Sequence, residues 1–263
     1  MRLLIPTLVT AALLASSAAH ADEVFVRNND KQIKSIVEKI GKDQSKFRRA
    51  LASDFKDSVV RSAEGELKVA DFLKDFDSAK ERVEKRFTGK YSASSEVQQL
   101  LELGAKMHAI VRGNAAMKGA NEWDILANDL NALATSYGAK FPLEPGAPIR
   151  RIGDAELGDA LAAIGKSTDG VKSELKKAMK ASPDLAAKGP QASTDLDALK
   201  KASSALKSRI SGGNPATAEA RQVATLAQSI GTALAGAPPA LEAAWNQVSM
   251  PLAKVLQAFG FES

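Results

Sequence analysis

The chain of 263 residues is written as one unit twice. Residues 123–141 open on Trp123 and carry the aromatic–glycine pair Tyr137-Gly138 near their end, and residues 245–261 repeat that plan with Trp245 and Phe259-Gly260. Leu126, Leu130 and Leu133 lie between the marks in the first copy, and Val248, Leu252 and Val255 at the same separations in the second. Such spacings of three and four put the apolar residues on one helix face. A repeat of this length constrains the fold more than any single segment, because both copies must bury the same pattern.

Sliding the second half along the first by 123 or 124 positions extends the match. Ile33, Val37, Ile40, Phe47, Leu51 and Phe55 fall on Leu157, Leu161, Ile164, Val171, Leu175 and Met179, which predicts one helix through Phe55. Leu73, Phe76, Ala79, Val83 and Phe87 fall on Leu196, Leu199, Ala202, Leu206 and Ile210. Val97, Leu100, Leu103, Met107 and Val111 fall on Ala220, Val223, Leu226, Ile230 and Leu234. Turns are expected at Thr88-Gly89-Lys90 and Ser211-Gly212-Gly213, where glycine supplies a left-handed helix end. Asn214-Pro215 reads as an N-cap with Pro at the first helical position, and Ser92 with Glu96 as its counterpart.

Each unit therefore contributes four amphipathic helices, and the expected class is all-α: a tandem duplication of an antiparallel four-helix bundle. One elongated eight-helix array is the alternative. Abundant Ala, Leu and Lys with few aromatics (5%) favours helix over strand. The expected divisions are a signal peptide over 1–21, the first bundle over 22–141, a Pro-rich linker over 142–152 and the second bundle over 153–263. The linker's Pro142, Pro145 and Pro148 prevent helix and make it a stiff short spacer.

The N-terminus carries an export pattern. Arg2 precedes an apolar run from Leu3 to Leu14, and Ala19-His20-Ala21 offers a cleavage site after Ala21. The run is shorter than the roughly 20 residues of a membrane-spanning helix, and no later stretch reaches that length without charges. A periplasmic or secreted location, with no transmembrane segment after processing, is the expectation. The chain has no Cys, which excludes disulfides, thiolate metal sites, thiol catalysis and haem attached through Cys-x-x-Cys-His.

The formal net charge is +5, a balance suited to an anionic envelope surface. Opposite charges nevertheless interleave, as in Lys80-Glu81-Arg82, the pattern of solvated helix faces. Lys172, Lys176, Lys177 and Lys180 share one face, and Arg150-Arg151 follow the linker. No aromatics interleave with these cations for base stacking, so a nucleic-acid role lacks support.

The first copy resembles a recurrent uncharacterised helical domain of exported bacterial proteins. The resemblance rests on Arg86-Phe87, on Ser92-Ala93-Ser94-Ser95-Glu96-Val97, and on Trp123, Leu126, Asp129-Leu130, Leu133-Ala134 and Tyr137. The second copy has Pro251 for Asp129 and Phe259 for Tyr137. A weaker similarity is to periplasmic c-type cytochromes built as four-helix bundles, whose haem motif is missing here. These resemblances imply fold and compartment and carry no activity.

No residue is marked as catalytic, cofactor-binding or metal-ligating. After processing, His108 is the sole His, and its repeat counterpart is Gly231, which fits a surface or boundary position. Asp71, Asp75 and Asp77, and Glu122, Asp124 and Asp129, form two acidic groups without calcium-loop spacing. Asp71, Glu122 and Asp124 read as acids stabilising helix N-termini. Trp123, Tyr137, Trp245 and Phe259 read as core. The expected function is a non-enzymatic binding or structural module of the cell envelope, partnered by an unidentified protein or anionic envelope component. The alternative is a haem-free small-ligand carrier with its site in the first copy.

Overall fold

The computed structural model describes residues 27–62, 65–114, 116–144 and 146–261; the expected signal peptide lies outside the described residues. The class is all-α with one small hairpin. In order, the elements are α1 (Asp30–Ala50), α2 (Ser53–Lys56), β1 (Val59–Ser62), β2 (Gly65–Lys68), α3 (Val69–Arg86), α4 (Ser94–Gly113) and α5 (Ala120–Thr135). There follow α6 (Asp154–Ala181), α7 (Pro183–Ser211), α8 (Thr217–Ala233) and α9 (Pro239–Ala258).

Among the described residues, eight long helices close two rings. Helix α1 packs on α3 and α5 while α4 bridges α3 and α5; likewise α6 packs on α7 and α9 while α8 bridges those two. Each ring surrounds its own apolar core. The periodic positions account for both cores: Val97, Leu100, Met107 and Val111 are buried, as are Ala220, Val223, Ile230 and Leu234. Leu103 and Leu226, paired by the same offset, are both only partly buried. Matching burial at matching positions ties the sequence periodicity to side-chain packing.

The aromatic–glycine pairs close α5 and α9 in one way. Gly138 and Gly260 adopt φ of +74° and +70°, which a residue with Cβ rarely takes. The N–H groups of Ala139 and Phe261 then reach back to the carbonyls of Ala134 and Leu256, both at 3.0 Å. Glycine at this position ends the helix and leaves the preceding aromatic, Tyr137 or Phe259, buried.

Several local expectations are corrected. The first helix stops at Ala50, and Phe55 falls in the separate α2. Beyond it, β-branched Val59 and Val60 pair with Lys68 and Leu67 in an antiparallel hairpin. The second unit instead runs two long helices to a tip at Ser182, whose side chain accepts from the Leu185 N–H at 3.4 Å before Pro183 at the helix start. Gly213 is left-handed (φ +67°) as expected of its turn, whereas Gly89 is not among the positive-φ residues. Helix α8 begins at Thr217 rather than Pro215, and the cap of α4 is Ala93 (φ +49°) rather than Ser92.

The Pro-rich segment docks as a strap. Ile149 is buried in the first core, and the Arg150 N–H donates to the Tyr137 carbonyl at 3.2 Å. The strap thereby brings Arg151 and the start of α6 against the start of α1.

Candidate functional site

The two rings meet where α1 and α6 begin. Asp30 and Asp154 each occupy the first turn of their helix, where the exposed N–H groups favour a carboxylate. Three residues before each stands an arginine, Arg27 and Arg151. The pairing crosses between the units: Arg27 Nη2 lies 2.7 Å from Asp154 Oδ1, and Arg151 Nη1 lies 2.7 Å from Asp30 Oδ1. The backbone follows the same exchange, since the Asp30 N–H donates to Asp154 Oδ2 at 2.8 Å and the Asp154 N–H points at Asp30 at 3.4 Å.

Other contacts reinforce this junction. Arg27 Nη2 donates to the Ile152 carbonyl at 3.0 Å, and Arg151 Nη2 to the Asn28 carbonyl at 2.8 Å. Arg27 also lies over the Phe259 ring and Arg151 over the Phe87 ring, each 5.7 Å from the centroid. Burial pulls the Arg27 guanidinium below its ordinary range, and Asp154 opposes that pull.

Beside the junction opens a cleft of about 770 Å³. Tyr137 and Gly138 from the end of α5 line it together with Ala258 and Gly260 from the end of α9. Both aromatic–glycine turns therefore border one space. Arg150, from the strap, and Ser94, the first residue of α4, complete its polar rim. Arg150 is exposed and makes no ion pair among the described residues. The Tyr137 hydroxyl donates to the Ser92 carbonyl at 2.5 Å, and burial raises its pKa, so it is held as a neutral phenol. A space of this size between packed units is the usual form of a ligand site.

Arg150 and Arg151, adjacent after the linker, part company: Arg150 is exposed, but the Arg151 side chain is only 3% exposed and belongs to the junction. Apolar spacing misses it because its partner carboxylate lies in the other unit. A usable signal was present: the offset that aligns the cores also aligns Arg27 with Arg151 and Asp30 with Asp154.

The remaining candidates disperse. His108 sits at the boundary as expected, and its Nδ1 accepts the N–H of the fully buried Trp123 at 3.2 Å. Arg112 Nε approaches Nε2 at 3.4 Å, but a neutral imidazole has one acceptor nitrogen, and the buried indole takes it. Burial, then the Arg112 charge, lowers the His108 pKa, against a smaller opposing pull from Asp124. Trp245, expected in the core, is half-buried. With Gly231 in the place of His108, the second unit has no imidazole to receive an indole N–H there.

Among the acids, Asp71 and Glu122 lie in the first turns of α3 and α5, and Asp124 pairs with Arg112 at 2.7 Å. Asp77 takes Gln44 and Arg48, and Asp75 is exposed. Asp129 is buried; its Oδ1 accepts from Lys39 and its Oδ2 has no hydrogen-bond partner. Burial raises its pKa, while Lys46 holds the neighbouring Asp43 below the usual carboxylate range. On the lysine face, Lys172 pairs with Asp197 and Lys177 with Glu174, while Lys176 and Lys180 are exposed. Among the described residues no three His, Asp or Glu side chains are grouped to hold a metal, and no helix is long and apolar enough to cross a membrane.

No family model, curated protein or solved structure matches the chain.

Proposed function

We propose that this protein is an exported, non-enzymatic binding module of the bacterial cell envelope, and that it engages its ligand in the cleft between the two helical units. Export and a periplasmic or secreted location rest on the charged, apolar and Ala-x-Ala pattern of residues 1–21. We read the two units as copies of one duplicated bundle, on the matching order and burial of their apolar positions.

The single observation that carries the binding reading is the cleft itself. Both aromatic–glycine turns border it, and an exposed arginine faces it from a strap anchored by Ile149. The carrier reading, with a site inside the first bundle, has the buried Asp129 in its favour. That carboxylate is met by Lys39, and it lines neither the cleft between the units nor the smaller one, of about 290 Å³, beside Val37 and Val83 of the first unit.

The test is photocrosslinking in cells. A photoreactive residue at Gln257, which lines the cleft, should trap an envelope component. The same residue at Met250, exposed on α9 but not lining the cleft, should trap none. Equal trapping at both positions, or trapping at Met250 alone, contradicts the cleft as the binding site.

A further inference from the structure

We infer that the cleft takes a small amphiphilic anion, a carboxylate or phosphate head carried on an apolar body. The inference rests on the cleft being the binding site and names what it recognises.

Charge is the first observation. Arg27, Arg150 and Arg151 line the cleft, and the two facing acids, Asp30 and Asp154, are already committed to Arg151 and Arg27. Arg150 is the cation left over. The second observation is an unmet hydrogen-bonding demand. Arg151 is nine-tenths buried or more; its Nη1 pairs with Asp30 at 2.7 Å, while its Nε has no hydrogen-bond partner. Buried donors left in this state are costly, and an anionic oxygen is the acceptor that meets a guanidinium best.

The third is the start of α4. Its cap, Ala93, has no side chain to accept the first N–H groups, and Ser94 lines the cleft. This helix start lines the cleft together with Arg150 and Arg151, and its own first-turn acid, Glu96, is paired with Arg86 at 3.3 Å, so its free N–H groups suit an anion. The ends of α5 and α9 have the opposite polarity, because a helix C-terminus carries partial negative charge. The head therefore belongs with Arg150 and Ser94, and the apolar body with Ile149, Ile152 and Ala258, which also line the space.

The test is calorimetric titration of the processed full-length chain with decanoate, decyl phosphate, inorganic phosphate and decanol. Decanoate or decyl phosphate should bind at least about tenfold more tightly than decanol, a difference of about 1.4 kcal/mol. Inorganic phosphate alone should bind much more weakly than decyl phosphate, and the stronger of the two long-chain anions identifies the head. Arg150→Gln, at an exposed position and with an unchanged melting temperature, should remove the preference for the anion. Gln257→Trp should block every long-chain probe. Decanol binding as tightly as the anions, or an Arg150→Gln variant that keeps the preference, overturns the anion inference while leaving the cleft reading intact. Inorganic phosphate binding as tightly as decyl phosphate overturns the apolar body. Probes that bind the Gln257→Trp variant unchanged overturn both readings. No binding by any probe overturns the anion inference, and crosslinking at Gln257 then decides the cleft.

Discussion

Asp30 and Asp154 stand 124 residues apart at the starts of two helices, and each forms an ion pair with the arginine that precedes the other. The junction between the two units is thus a reciprocal exchange of charge rather than an apolar seam.

This exchange predicts strong energetic coupling. Arg151→Met should lose about 2 to 3 kcal/mol of stability, because it strands a partly buried carboxylate. Asp30→Asn should lose a comparable amount. The double variant should lose less than the sum, with a coupling of about 1 to 3 kcal/mol. Urea unfolding of the four proteins measures this, and additive losses would show that the pair is not an energetic unit.

The cores were legible in the sequence because a buried helix stripe repeats at three, four and seven residues. Ile33, Val37 and Ile40, and their partners Leu157, Leu161 and Ile164, need no other information to be placed inside. The hairpin at Val59–Ser62 was not legible, because Leu51 and Phe55 continue the helical spacing of α1 past its real end at Ala50. Nor was the junction. Arg151 stands beside exposed Arg150, and only packing against a helix start far along the chain distinguishes a buried guanidinium from a solvated one. Trp123 and Trp245 look equivalent in sequence, yet the first is buried against an imidazole and the second is half-exposed.

His108 should make stability depend on pH. Its folded pKa lies below the ordinary value, so the unfolded chain binds the proton more readily. The contribution is fully present above about pH 6.5 and is lost as pH falls from there through the lowered folded value. Protonation also takes away the acceptor of the Trp123 N–H. Unfolding followed by Trp fluorescence between pH 5 and 8 should show this loss, and His108→Gln should flatten it. His108→Leu should cost about 1 to 3 kcal/mol at pH 7.5 by orphaning the buried indole N–H.

Asp129 works in the opposite sense. Its raised pKa means that the native state favours the protonated acid, so its contribution diminishes as pH rises through the folded value. Asp129→Asn should therefore be more stable than the parent at pH 7. The advantage should narrow as pH falls toward the carboxylate range. Chemical unfolding at pH 7 and pH 4.5 checks both statements, and an equal or larger gain at pH 4.5 would contradict them.

Two glycines on exposed-to-core helices should respond oppositely. A Cβ at Gly104 would meet Leu130 Cδ1 at 2.8 Å and the Phe141 ring at 3.0 Å, whereas one at Gly231 meets nothing within 4 Å. Gly104→Val should lose about 1 to 3 kcal/mol by overpacking. Gly231→Ala should gain up to about 1 kcal/mol from helix propensity. Thermal unfolding of the pair checks the assignment.

The most direct measurement is native mass spectrometry of the protein taken gently from its own cell envelope, wild type beside Gln257→Trp. The cleft account predicts a reproducible added mass on the wild-type chain that is lost in the variant with the side chain filling the space. An added mass retained by Gln257→Trp would place the ligand elsewhere and contradict the account.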